Sequence, residues 1–87
     1  MTHDSHPDIV KRLKRSEGHL RKVIDMIEQG RPCVDIAQQL YAVERAIQKA
    51  KSALIHDHVE HCLAEAAEGP DGRAAQLAEF REITRYL

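Results

Sequence analysis

The sequence predicts an all-α protein, a three-helix subunit that pairs with a second copy as an antiparallel four-helix bundle. Three observations carry that prediction. Aromatics are 3% of the chain while hydrophobic residues reach 43%, a composition poor for sandwiches or barrels and good for helices. Apolar residues recur at helical spacing in three segments. The middle segment also runs from Cys33 to Glu68 without a Gly or Pro, too long a rod for one small subunit to cover.

With 87 residues and 9.9 kDa, residues 1–87 read as one helical domain. Residues 1–6 form a tail, and helices are expected at about 7–29, 33–68 and 72–86. The first follows Ser5-His6-Pro7, with proline suited to a first helical turn. Ile9, Leu13, Leu20, Val23 and Ile27 form its stripe, which Ser16 interrupts. Gly30 suits the stop, ahead of Arg31-Pro32.

The second helix draws its apolar face from Val34, Ala37, Leu40, Tyr41, Ile47, Ala50, Leu54 and Leu63. At 1.5 Å per residue it is a rod of roughly 50 Å. The third follows Gly69-Pro70-Asp71-Gly72, with Ala74, Leu77, Phe80, Ile83 and Leu87 three or four apart. The first helix covers only part of such a rod, so a second copy packed antiparallel is the expected remedy.

Composition also limits the function. Thirteen Lys and Arg oppose fourteen Asp and Glu, so any attraction for nucleic acid must be local. No apolar run approaches a membrane span of about 20 residues. The polar start, Met1-Thr2-His3-Asp4-Ser5-His6, lacks the apolar core of a signal peptide. Two cysteines without an export signal point to a reducing cytoplasm. No Gly-rich phosphate loop or Ser/His/Asp set is present, and an enzyme is not expected.

The chemistry-bearing residues are Cys33, His58 and Cys62. His58 and Cys62, four apart, are neighbours on one helical face, and thiolate with imidazole makes half of a metal site. Cys33 lies 25 residues earlier, about 37 Å along a continuous helix, so the three cannot meet within one chain. An intrachain Cys33–Cys62 disulfide is excluded for the same reason. In an antiparallel dimer Cys33 of one subunit arrives beside His58 and Cys62 of the other, giving two symmetric sites. Two thiolates and an imidazole suit three-coordinate Cu(I). Zn(II) would want a fourth ligand, from His61, His56, His3 or His6. Against this stands the ordinary use of Cys as a small buried hydrophobe; His56 and His61 read first as solvated.

From Lys11 to Lys22 six cations (Lys11, Arg12, Lys14, Arg15, Arg21 and Lys22) face one acid, Glu17. Arg45, Lys49 and Lys51 add charge in the middle helix, while Asp57, Glu60, Glu65, Glu68 and Asp71 gather later. The pattern is compatible with a phosphate-binding strip and equally with a solvated face.

Four stretches together resemble the CsoR/RcnR/FrmR family of bacterial repressors that sense metals, formaldehyde or persulfide. They are Arg12-Leu13-Lys14-Arg15-Ser16-Glu17-Gly18-His19-Leu20, Arg31-Pro32-Cys33-Val34-Asp35-Ile36, Gln39-Leu40-Tyr41-Ala42-Val43, and Leu54-Ile55-His56-Asp57-His58-Val59-Glu60-His61-Cys62. The resemblance covers about residues 9–65. It implies a dimer of helical hairpins assembling further into a dimer of dimers, and operator DNA bound without a helix-turn-helix through the first two helices.

Under that resemblance Cys33, His58 and Cys62 match the Cys-His-Cys ligands of copper sensors. Arg12 matches a DNA-contacting arginine, Lys49 stands where copper sensors often carry Arg, and Lys14 and Arg15 complete the expected DNA-binding set. Copper sensors also tie the ligating histidine to a Tyr before the first Cys and to a Glu on the third helix. Here Pro32 replaces the Tyr, and Glu79 is near the expected Glu position but one residue displaced, with Ala78 in its place, so the sequence leaves open whether Glu79 serves in that tie.

The leading expectation is a repressor released from its operator by Cu(I). The alternatives are a persulfide switch through Cys33 and Cys62, and a Ni(II) or Co(II) sensor completed by His3 or His6. A metal buffer that never touches DNA is the reading from another class.

Overall fold

The computed structural model describes residues 5–67 and 73–87. In order they form α1 (His6–Glu28), α2 (Cys33–Ala67), α3 (Arg73–Ile83) and a 3₁₀ turn at Thr84–Tyr86. His6, read from the sequence as part of the tail, is the first residue of α1. His3 and the turn at Gly69-Pro70-Asp71-Gly72 lie outside the described residues. The chain is elongated, 59 × 23 × 13 Å, as an unbroken 35-residue α2 requires. No helix is long and apolar enough to cross a membrane among the described residues.

The helix ends follow from local chemistry. Pro7 occupies the first turn of α1, where its missing N–H costs nothing, and Asp8 places negative charge at the helix's positive end. At the other end Gly30 adopts φ +70°. Its N–H donates to Ile27 O at 3.1 Å, while Arg31 N–H donates to Met26 O at 3.0 Å. This is the paired bonding of a Schellman stop, which favours glycine because the backbone is left-handed there. The chain reverses at once, and α2 runs back antiparallel along α1.

The seam between α1 and α2 is narrow. On α1 the residues buried within the subunit are Ile9, Ser16 and Val23, seven apart; on α2 they include Val43 and Ala50, again seven apart. Ser16 therefore does not interrupt the packing stripe, as its polarity suggested, but sits in the middle of it. Its small side chain, like that of Ala50, permits close approach of the helices.

Four residues beyond the α1 seam stand Leu13, Leu20 and Ile27; four beyond that of α2 stand Ile47 and Leu54, with Leu40 a turn before. These six are 39% to 56% exposed within the subunit. At about 100° per residue their offset has one sign on both helices, and in an antiparallel pair equal offsets fall on the same flank. Arg15 and Lys49 each stand one residue before a seam position, Ser16 and Ala50, and so occupy the other flank. The hairpin is apolar on one side and basic on the other.

Candidate functional site

The basic flank forms two adjoining clefts. Asp8, Arg12, Arg15, Ser16 and His19 from α1 and Ala46 and Lys49 from α2 line one of about 370 Å³. Arg15, Gly18, His19, Lys22 and Gln39 line the next, of about 410 Å³. Of the four residues expected to contact DNA, Arg12, Arg15 and Lys49 thus share one cleft; Lys14 does not line it. The Arg12 guanidinium is met by Asp8, Nε to Oδ2 3.0 Å, one turn earlier. Both side chains are largely exposed, so the pair is weak and readily exchanged for another anion. Along α2, Arg45 lies over the Tyr41 ring at 5.8 Å, extending the cationic row from Lys49 by one turn.

The second cluster is at the far end of α2. His58 and Cys62 lie on successive turns, and α3 folds back over them. His58 Nε2 is 3.6 Å from Glu79 Oε2. One ligand atom from each of His58, Cys62 and Glu79 falls within 4.8 Å of the others. His58 and Glu79 thus come within ion-pair range, beyond hydrogen-bond distance, although Ala78 stands at the expected Glu position. A one-residue displacement along a helix moves a side chain by about 100° and 1.5 Å, and the long Glu79 side chain spans the difference. Cys62 is buried at 3% exposure, beside a small apolar recess of about 40 Å³ lined also by Leu63, Gln76, Leu77 and Phe80. Burial raises the Cys62 thiol above its ordinary range, and the Glu79 and Glu65 carboxylates push it the same way.

Cys33 is exposed at the opposite end of α2. Because that helix is continuous, the roughly 37 Å between Cys33 and His58 stands, and within one subunit the third sulfur does not reach the pair.

Among the described residues, His6, His56 and His61 have other engagements. His6 Nε2 lies 4.0 Å from Asp57 Oδ2, and the solvated His56 is 3.1 Å from Glu60. His61, read from the sequence as solvated, is only part-exposed: its Nε2 is 2.7 Å from Glu65 Oε1, and Gln76 of α3 donates to the other Glu65 oxygen. Sequence spacing alone does not reveal that Glu65–Gln76 link, because it depends on how α3 lies against α2.

Comparison with known proteins bears on what these two ends serve. Residues 5–86 match the family described as "Metal-sensitive transcriptional repressor". The chain is 43% identical over 80 residues to the copper-sensing transcriptional repressor CsoR of Bacillus subtilis (strain 168), covering 88% of this chain and 79% of that protein. It is 40% identical over 70 residues to the copper-sensing transcriptional repressor RicR of Mycobacterium tuberculosis (strain ATCC 25618 / H37Rv), covering 79% and 73%. Among solved structures, the nickel-responsive transcriptional regulator InrS superposes with a TM-score of 0.86 at 33% identity, over 100% of this chain and 98% of that one. The copper-sensing repressor CsoR with Cu(I) from Geobacillus thermodenitrificans NG80-2 gives 0.79 at 33% identity, over 98% and 84%.

Proposed function

Since the chain belongs to the metal-sensitive transcriptional repressor family, a family of non-enzymatic regulators, we propose that it holds operator DNA as an apoprotein and releases it on binding Cu(I). The proposed ligands are His58 and Cys62 of one subunit and Cys33 of its partner. The observation that carries the reading is the placement of His58 and Cys62 together at one end of an unbroken α2 with Cys33 at the other. An antiparallel copy supplies the missing thiolate, and the likeness to copper sensors supports the choice of metal.

The open apolar flank supports the pairing. Half exposed, Leu13, Leu20, Ile27, Leu40, Ile47 and Leu54 would each gain about 1 kcal/mol on full burial. A second hairpin laid against them buries both copies' flanks and leaves the basic clefts outward, toward DNA. Arg12, Arg15 and Lys49 then hold backbone phosphates, with Lys14 reaching the same strand from the outer face of α1.

Two thiolates and one imidazole fit Cu(I), which would tie two subunits together when bound. Glu79 orients the His58 ring from α3, so ligation at His58 and the position of α3 are linked. Coupling is reciprocal: a tenfold loss of DNA affinity, about 1.4 kcal/mol, is matched by a tenfold loss of metal affinity on DNA.

A second reading has an observation of its own. Glu79 joins His58 and Cys62 to make an N, S, O donor set within one subunit, which suits Ni(II), Co(II) or Zn(II) better than Cu(I). The fold likeness to a nickel-responsive regulator favours it too. His6 lies against Asp57, so as an extra ligand it would have to leave that contact.

Subunit mixing separates the two readings. Cys33→Ala and a His58→Ala/Cys62→Ala double variant should each fail to bind Cu(I) with high affinity. Coexpressed, they should regain one site per mixed dimer. If Cys33→Ala alone keeps full metal affinity and response, the intersubunit copper site is wrong and the His58–Cys62–Glu79 set is the sensor.

A further inference from the structure

His19 lines both basic clefts, a position it shares only with Arg15 among their lining residues. It is half-buried, and its Nε2 is 2.7 Å from Gln39 Oε1 of α2. With Nε2 donating to the carboxamide oxygen, a neutral ring has only an acceptor left at Nδ1. Around the two clefts stand Arg12, Arg15 and Lys22 from α1 and Lys49 from α2. The one acid, Asp8, is already engaged by Arg12. A phosphate held by these cations in either cleft would lie beside His19.

We propose that His19 is a proton-linked phosphate contact, an imidazole that takes up a proton as the DNA backbone enters the clefts and so makes operator affinity pH-dependent. The inference rests on the repressor reading above and adds a regulatory input at the DNA surface, separate from the metal end. The sign follows from charge. A phosphate beside the ring favours the imidazolium and converts Nδ1 from acceptor to charged donor. Protonation of the ring and binding of the phosphate therefore strengthen each other, so the added affinity is present at low pH and is lost as pH rises. Arg and Lys do not titrate in this range, whereas histidine does.

The test uses metal-free, reduced protein and a duplex that it selects from a random-sequence library, followed by fluorescence anisotropy at about pH 6 and about pH 8. Other histidines can titrate over the same interval, so wild type is compared with His19→Gln, which keeps a polar side chain beside Gln39, and with His19→Lys, which fixes the charge. Circular dichroism checks that all three are equally helical. Between the two pH values wild type should lose about five- to tenfold more affinity than His19→Gln, as for a shift near one pH unit. His19→Lys should hold the higher affinity at both. The salt dependence of wild type should be steeper at the lower pH by about 0.9 per engaged subunit, and that of His19→Gln should not change.

If wild type and His19→Gln bind the duplex with the same pH dependence, or differ by one constant factor at both pH values, the inference is overturned and the repressor reading stands. If no duplex is selected by protein of native helicity, the repressor reading itself fails.

Discussion

His58 Nε2 of α2 stands 3.6 Å from Glu79 Oε2 of α3, and this contact joins a candidate metal ligand to the subunit's third helix. A carboxylate on the ring of a ligating histidine fixes its orientation and raises its basicity. Under the proposed ligation at His58, movement of α3 and metal binding would be coupled.

Glu79→Ala should weaken metal binding about 10- to 100-fold, the usual cost of losing such a partner. The DNA affinity of the metal-free protein should be unchanged, because the basic flank lies elsewhere. Metal competition titrations and DNA anisotropy on the same samples read both. A variant with unaltered metal affinity and unaltered metal-driven DNA release would remove Glu79 from the coupling.

The raised Cys62 thiol gives a pH dependence of known sign. Ligation requires the thiolate, so metal binding expels a proton and strengthens with rising pH, about tenfold per unit for each proton released. In the metal-free protein the unfolded chain ionises first, so stability contributed here is present below the ordinary thiol range and falls above it. In a Cys33→Ser background, thiolate absorbance should titrate late. Glu79→Gln should bring it only part of the way back, since burial is the larger cause.

Charge reversal on the basic flank should be position-specific. Arg12→Glu, Arg15→Glu and Lys49→Glu should each weaken DNA binding by tenfold or more in order of magnitude and flatten its salt dependence. Lys14→Glu, outside the cleft, should cost less. Metal affinity without DNA should not respond. Equal losses at all four positions would mean that diffuse charge, not the cleft, holds the phosphate.

The open flank should set assembly and metal binding together. Leu20→Glu with Ile47→Glu places charge on the exposed apolar side without touching Ile9, Val23, Val43 or Ala50. Sedimentation velocity should show a monomer of retained helicity, and high-affinity Cu(I) binding should disappear because Cys33 of a second chain no longer arrives. A monomer that still binds Cu(I) tightly would contradict the shared site.

Much of this was readable along the chain because helical periodicity is a local property. The turn at Gly30 follows from glycine's ease in a left-handed stop, the unbroken rod from the lack of Gly and Pro after Cys33, and the adjacency of His58 and Cys62 and their distance from Cys33 from 3.6 residues per turn and 1.5 Å of rise. Tertiary packing decided what depends on two helices at once. The seam placed Ser16 inside rather than as a gap, and its angular position, not charge density, brought Arg12, Arg15 and Lys49 into one cleft without Lys14. The axial position of α3 on α2 brought Glu79 to His58 and Gln76 to Glu65. No spacing within a single helix encodes that position, because it depends on how the faces of two helices meet, here around the recess lined by Cys62, Leu63, Gln76, Leu77 and Phe80.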